Sequence, residues 1–155
     1  MLCYRFLIGL LFIFPASFAI QSPHVELSEA PSLNIKPGEN KTMNVKFKIK
    51  DGYHIMSNNP GNENLIPTSL QITSVQGIRI DKISYPSATR FSIKGSADQF
   101  FVFEHTVSIN IPVTISERAV RKEYTLDALL LYQACNSMKC FYPDKLNFKI
   151  IIRVK

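Results

Sequence analysis

No stretch of the sequence carries a convincing 3.6-residue hydrophobic period, which argues against a helical protein. Internal repeats, low-complexity tracts and linkers are also missing, so repeat arrays and tethered domains are set aside. Cysteine is scarce, with three in 155 residues, and an odd count looks at first like a poor disulfide framework. A length of 155 residues leaves room for one domain and not two, while 46% hydrophobic residues exclude intrinsic disorder. Long apolar runs are absent with one exception at the N-terminus.

That exception runs from Phe6 to Phe14 behind a single cation, Arg5, and is followed by Pro15 and the small-residue stretch Ala16-Ser17-Phe18-Ala19. The run is about half of the ~20 apolar residues a membrane span requires. Residues 1–19 are therefore expected to be a secretory signal peptide cut after Ala19, with residues 20–155 as the mature domain and no membrane span in it. Cys3 and Arg5 leave with the leader. Cys135 and Cys140 then form one pair, in an oxidising compartment where a pair matters.

What the rest contains is alternation. Met43, Val45, Phe47 and Ile49 alternate with polar residues through Lys41–Lys50, the period of a half-buried strand. A second stripe reads Phe101, Phe103, Val107, Ile109, Ile111, Val113 and Ile115, interrupted by His105. Tyr124, Leu126, Ala128, Leu130 and Tyr132 make a third, and Leu146, Phe148, Ile150, Ile152 and Val154 a fourth. Leu129 and Leu131 fill the other face of the third stripe, predicting a central strand covered on both sides. Shorter strands are expected over Ser69–Val75 and Ile78–Ile83, joined by Gln76-Gly77, and between Val25 and Ile35. Seven or so strands separated by Pro, Gly, Asn and Asp turns predict an all-β, immunoglobulin-like antiparallel β-sandwich.

The net charge of +6 invites nucleic acid as a partner, but three of the five lysines between Lys36 and Lys50 occupy the polar face of one strand. A solvated face that also discourages edge pairing accounts for them, and secretion argues against nucleic acid.

Chemistry concentrates at Tyr132-Gln133-Ala134-Cys135-Asn136-Ser137-Met138-Lys139-Cys140-Phe141-Tyr142-Pro143. Two strand patterns flank a four-residue connection, so the cysteines face each other across a hairpin, close enough for a disulfide. Closing so short a loop stabilises by roughly 2 kcal/mol, against nearer 5 for a loop of about 100 residues. Lys139 beside Cys140 favours a thiolate. On these residues alone, a redox-active pair and a structural pair remain equally open. Zinc is disfavoured because no second ligand pair lies nearby. His54, Met56 and Met138 have the soft character of a copper(I) site, with nothing in the sequence to gather them, so neither a metal nor a cofactor is expected. His54 reads either as a proton donor or thiolate partner or, more plainly, as an ordinary loop-edge histidine. His105, Glu104 and Asp98 carry no pairing pattern.

These residues resemble the N-terminal periplasmic domain of the DsbD thiol:disulfide interchange family. Pro37-Gly38-Glu39, Ile49-Lys50-Asp51-Gly52-Tyr53-His54, Tyr85-Pro86, Ile111-Pro112-Val113-Thr114-Ile115 and Tyr132-Gln133-Ala134-Cys135 through Cys140 and Pro143 follow the family's order. The resemblance implies an immunoglobulin-like fold and thiol–disulfide exchange of protein-disulfide reductase type in the periplasm. Cys140 would form the mixed disulfide with a partner and Cys135 would resolve it. Phe91, next to Arg90, would be the ring of a cap over the pair, with His54, Lys139 and Phe141 in the local environment. His54 and Met56 stand where the family has aromatic residues, and Tyr142 replaces one of two prolines. The implied partners are periplasmic disulfide-bearing or thioredoxin-like proteins and a separate membrane-embedded thiol reductase, since the family's membrane conduit and thioredoxin-like domain have no counterpart in this sequence. The alternative is a non-catalytic immunoglobulin-like interaction module with a structural hairpin disulfide.

Overall fold

A computed structural model describes residues 24–95 and 98–155; the expected leader, residues 1–19, lies outside them. Two β-sheets face each other. The four-stranded sheet has the order β1 (Val25–Leu27), β3 (Asn40–Ile49), β9 (Thr106–Ile115), β6 (Ile78–Ile80). The second sheet runs β2 (Ser32–Ile35), β11 (Cys140–Val154), β10 (Glu123–Cys135), β4 (His54–Met56), β8 (Phe100–Glu104), β7 (Thr89–Phe91), and β5 (Ser69–Ile72) pairs with β10 beside β4. Pairing is antiparallel throughout except between β2 and β11, which run parallel. The fold is an immunoglobulin-like β-sandwich, and no helix occurs among the described residues.

The alternating stripes become its core. Met43, Val45, Phe47 and Ile49 of β3 and Val107 to Ile115 of β9 meet Tyr124 to Tyr132 of β10 and Ile150, Ile152 and Val154 of β11. Phe47 touches Phe148 edge-on across the two sheets, with ring centroids 5.5 Å apart. The lysines between the inward residues of β3 stay in water, as a period of two demands.

Several boundaries differ from expectation, and each difference is a change of sheet. The second stripe is two strands in different sheets, β8 and β9, separated by His105 in a left-handed conformation (φ 55°). Phe103 and Val107 on either side of that turn both pack in the main core, whereas Phe101 is exposed and Phe100 and Val102, on the opposite face, are buried in a separate cluster. The N-terminal strand splits into β1 and β2 around Pro31, each in its own sheet. Gln76-Gly77 does not close a hairpin between sheet neighbours. Beyond a single bridge, Val75↔Ile78, β5 and β6 join opposite sheets, the turn being made by Gly77 at φ 85°. β10 is central as expected, but Leu129 and Leu131 on its outer face are only half-buried.

Fully buried Leu130 sits mid-strand in β10, whereas Lys46 is exposed on β3. Leu130→Ala is expected to lower unfolding stability by about 2–5 kcal/mol in urea titrations, and Lys46→Ala to change it by no more than about 0.5.

Candidate functional site

The site grows from the turn between β10 and β11. Asn136 Oδ1 accepts from the backbone N–H of Met138 and of Lys139, each at 2.9 Å, and the Asn136 N–H donates to the Lys139 carbonyl at 2.9 Å. An Asx turn of this kind is what asparagine at the head of a short loop provides. The ladder runs in register from Glu123↔Arg153 to Gln133↔Pro143, then shifts by one residue so that Cys135 faces Cys140. Continued without the shift, it would set Cys135 opposite Phe141. The bulge instead sends Phe141 into the main core and brings Cys140 onto the outer face of the sheet, where Cys135 lies. They are joined as a disulfide, with Cα atoms 3.9 Å apart.

An outward-facing residue on a sheet is ordinarily wet, yet Cys135 is fully buried. A second, smaller apolar cluster covers it: Met56, Phe100 and Val102 beneath, with Leu65, Phe91, Ile93 and Cys140 packed against them. The segment after β7 is tied to the cysteine turn by the Lys94 N–H donating to the Ser137 carbonyl at 3.1 Å. Cys140, by contrast, keeps part of its surface exposed and opens on a shallow groove lined by Gln133, Lys139, Phe141, Tyr142 and Pro143.

His54 lies beside the pair. It is the register partner of Cys135 across β10 and β4, and Glu104 is the register partner of His54 across β4 and β8. His54 Nδ1 is 3.0 Å from Glu104 Oε1 but out of line for a hydrogen bond, and its ring lies 4.2 Å from that of Phe91. Lys139 does not reach the opposite wall; its Nζ sits 5.0 Å above the Phe141 ring. Phe141 in turn packs on His24 and Tyr53, at 4.9 and 5.7 Å. Burial holds the His24 pKa below its ordinary value. The three copper(I) candidates do not assemble: His54 and Met56 share β4, but Met138 is exposed at the tip of the turn. No group of three or more His, Cys, Asp or Glu side chains suited to a metal occurs among the described residues.

Four contributors escaped sequence reasoning. Glu104 carried no pairing pattern because its partner is fifty residues away and met only across two strands. Gln133 bridges two segments, accepting from the Ile66 N–H at 2.8 Å and donating to the Phe141 carbonyl at 3.0 Å. Its place in Tyr-Gln-x-Cys was the available signal. Ile93 and Leu65, which wall the cysteines, offered none.

A family described as thiol:disulfide interchange protein DsbD, N-terminal, matches residues 21–151. The chain belongs to the DsbD N-terminal family. Among solved structures, the N-terminal periplasmic domain of ScsB from Proteus mirabilis is similar at a TM-score of 0.53 and 11% identity, over 81% of this chain and 43% of that one. The chain thus spans less than half of that relative's length. The DsbD N-terminal domain of Neisseria meningitidis, in its reduced form, aligns at a TM-score of 0.47 and 18% identity over 74% of this chain and 79% of that one. At 11% identity the likeness to the ScsB domain concerns fold alone. No curated protein matches the sequence.

Two measurements probe the surroundings of the family's cysteine hairpin. Gln133→Ala leaves the Ile66 N–H and the Phe141 carbonyl without their partner, at a cost of roughly 1–3 kcal/mol, and should accelerate amide hydrogen exchange at Ile66. The buried Tyr132 hydroxyl donates to Asp144 at 3.0 Å, and burial, then the Asp144 charge, push its pKa well above the ordinary 10.0. A raised folded pKa means that the neutral phenol contributes stability below about pH 10 that is lost as pH rises further. Tyr132→Phe should flatten that alkaline limb in denaturation curves recorded across pH.

Proposed function

We propose that this domain carries out thiol–disulfide exchange in the periplasm, passing electrons from a membrane-embedded thiol reductase to disulfide-bearing or thioredoxin-like proteins. Residues 1–19 would be its cleaved leader and the domain would begin at residue 20. The observation that carries the reading is the asymmetry of the pair: Cys140 is partly exposed beside an open groove, and Cys135 is fully buried behind it. Exchange needs one sulfur that a partner can reach and a second, sheltered one that attacks only from within.

The disulfide also contributes little as a staple. It spans a sequence separation of five, in a hairpin whose arms are already paired along their length. In the reduced state, the Cys140 thiolate attacks a partner disulfide, forms a mixed disulfide and expels one partner thiolate. Cys135 then attacks the Cys140 sulfur and expels the second. The protein's dithiol is oxidised by two electrons and the partner's disulfide is reduced by two. Lys139, next to Cys140, favours the attacking thiolate electrostatically. Phe91 limits access until a partner displaces it, which keeps small oxidants and reductants from short-circuiting the transfer.

Titration against glutathione tests the redox reading. A potential above about −300 mV, together with a Cys135→Ala variant that traps mixed disulfides through Cys140, is the expected result. A lower potential would make the bond the structural hairpin disulfide of an interaction module. Phe91→Ala should leave the potential nearly unchanged and speed reduction by dithiothreitol several-fold.

A further inference from the structure

Cys140, Cys135, His54 and Glu104 are successive register partners across four adjacent strands, β11, β10, β4 and β8. Directly opposed residues share one face of a sheet with neighbouring Cβ atoms, so the four side chains form a row on the outer face. We propose that His54, positioned by Glu104, is the base that removes the Cys135 thiol proton during resolution of the mixed disulfide. The inference rests on the exchange reading above and adds to it a proton path.

A base is required because of where Cys135 lies. Its sulfur is enclosed by Met56, Phe100 and Val102, and apolar surroundings disfavour a thiolate. The reduced Cys135 is therefore a neutral thiol, a poor nucleophile until deprotonated. Cys140, partly exposed and next to Lys139, has no such need. His54 supplies the missing acceptor. Its Nδ1 edge is turned to Glu104, 3.0 Å away, which leaves Nε2 as the atom to receive a proton and sets a carboxylate beside the imidazolium that forms. Glu104 is itself steadied by Thr89, whose Oγ1 lies 3.4 Å from Oε2. The imprecise Nδ1 alignment in the disulfide state suits a pair that closes up only once the imidazole is charged. From β10 and β8, His54 is faced by Cys135 and Glu104; from β7 it is faced by the uncharged Thr89 and Phe91, while Arg90 between them lies on the opposite side of the strand.

The step balances with any disulfide partner. Cys135 Sγ–H gives its proton to His54 Nε2, and the thiolate attacks Cys140 Sγ. The Cys135–Cys140 bond forms as the bond from Cys140 to the partner sulfur breaks, and the departing thiolate takes the proton from His54.

Oxidised glutathione serves as the partner in the test. The reduced full chain is mixed with it, quenched in acid at successive times, and the glutathione adduct of Cys140 is quantified by mass. In the wild-type protein the adduct should be transient. In His54→Asn it should form at the wild-type rate and decay about 100-fold more slowly, the lower end of what a general base contributes. The substitution should also change the pH dependence of decay while leaving that of adduct formation as in the wild type. Glu104→Gln should slow decay less and leave formation unchanged. Adduct formation acts as an internal check on folding, since it needs only an intact hairpin. Unchanged decay in His54→Asn would overturn the proposal, as would formation and decay slowed by one common factor. Failure of the Cys135→Ala protein to form any adduct would instead defeat the exchange reading itself.

Discussion

The long antiparallel ladder between β10 and β11, with its one-residue shift near the turn, is the constraint on which the rest depends. Inward residues of β11 are even-numbered from Val154 down to Leu146, as are those of β10 from Tyr124 to Ala134. Continued to its end, that parity would point Cys140 into the core and Phe141 away from it. The shift between Gln133 and Cys135 reverses the parity for the first few residues of β11. Phe141 turns inward to meet His24 and Tyr53, and Cys140 turns outward to join Cys135. A slip of one residue exchanges the two faces of a strand, so one bulge suffices to bring Cys140 out of the core to Cys135 without disturbing the sandwich.

Once outside the core, the pair needs shelter of its own, and the short strands β4, β8 and β7 provide it. They extend the sheet beyond β10 only at the cysteine end. Their outer face carries Met56, Phe100, Val102 and Phe91, while Ile55 and Phe103 face the main core. That end of the sheet is therefore apolar on both sides, which explains the run Phe100 to Phe103, poorly suited to a simple alternating strand. The small cluster buries Cys135 completely and leaves Cys140 accessible. A thiol enclosed by apolar groups and a thiol in contact with water differ in acidity and in reach, and that difference separates the two roles proposed for them.

Legibility in the sequence followed physical range. Period-two alternation reports burial of one face, so β3, β9, β10 and β11 could be read residue by residue from Met43 to Val154. The turn at Asn136 and the opposition of the two cysteines are local as well. Sheet membership is not local. His105, Pro31 and Gly77 mark points where the chain passes from one sheet to the other, and each looked in sequence like a blemish or an ordinary turn. Phe101, assigned inward with Phe103, came out exposed although Phe103 on the same face packs in the core, and Phe100 and Val102 on the other face are buried by a second cluster built from distant segments.

The amino-acid sequence by itself determined the sandwich, the strands of its core and the hairpin that sets Cys135 against Cys140, because these depend on alternation and turn chemistry within a few residues. Tertiary structure alone decided which cysteine is buried and what stands beside it. Phe91, Met56 and Glu104 reach the site from three separate strands, and only the pairing order of those strands turns His54 and Glu104 into neighbours of the disulfide. Such adjacency is set by the packing of distant segments, to which no local pattern of residues responds.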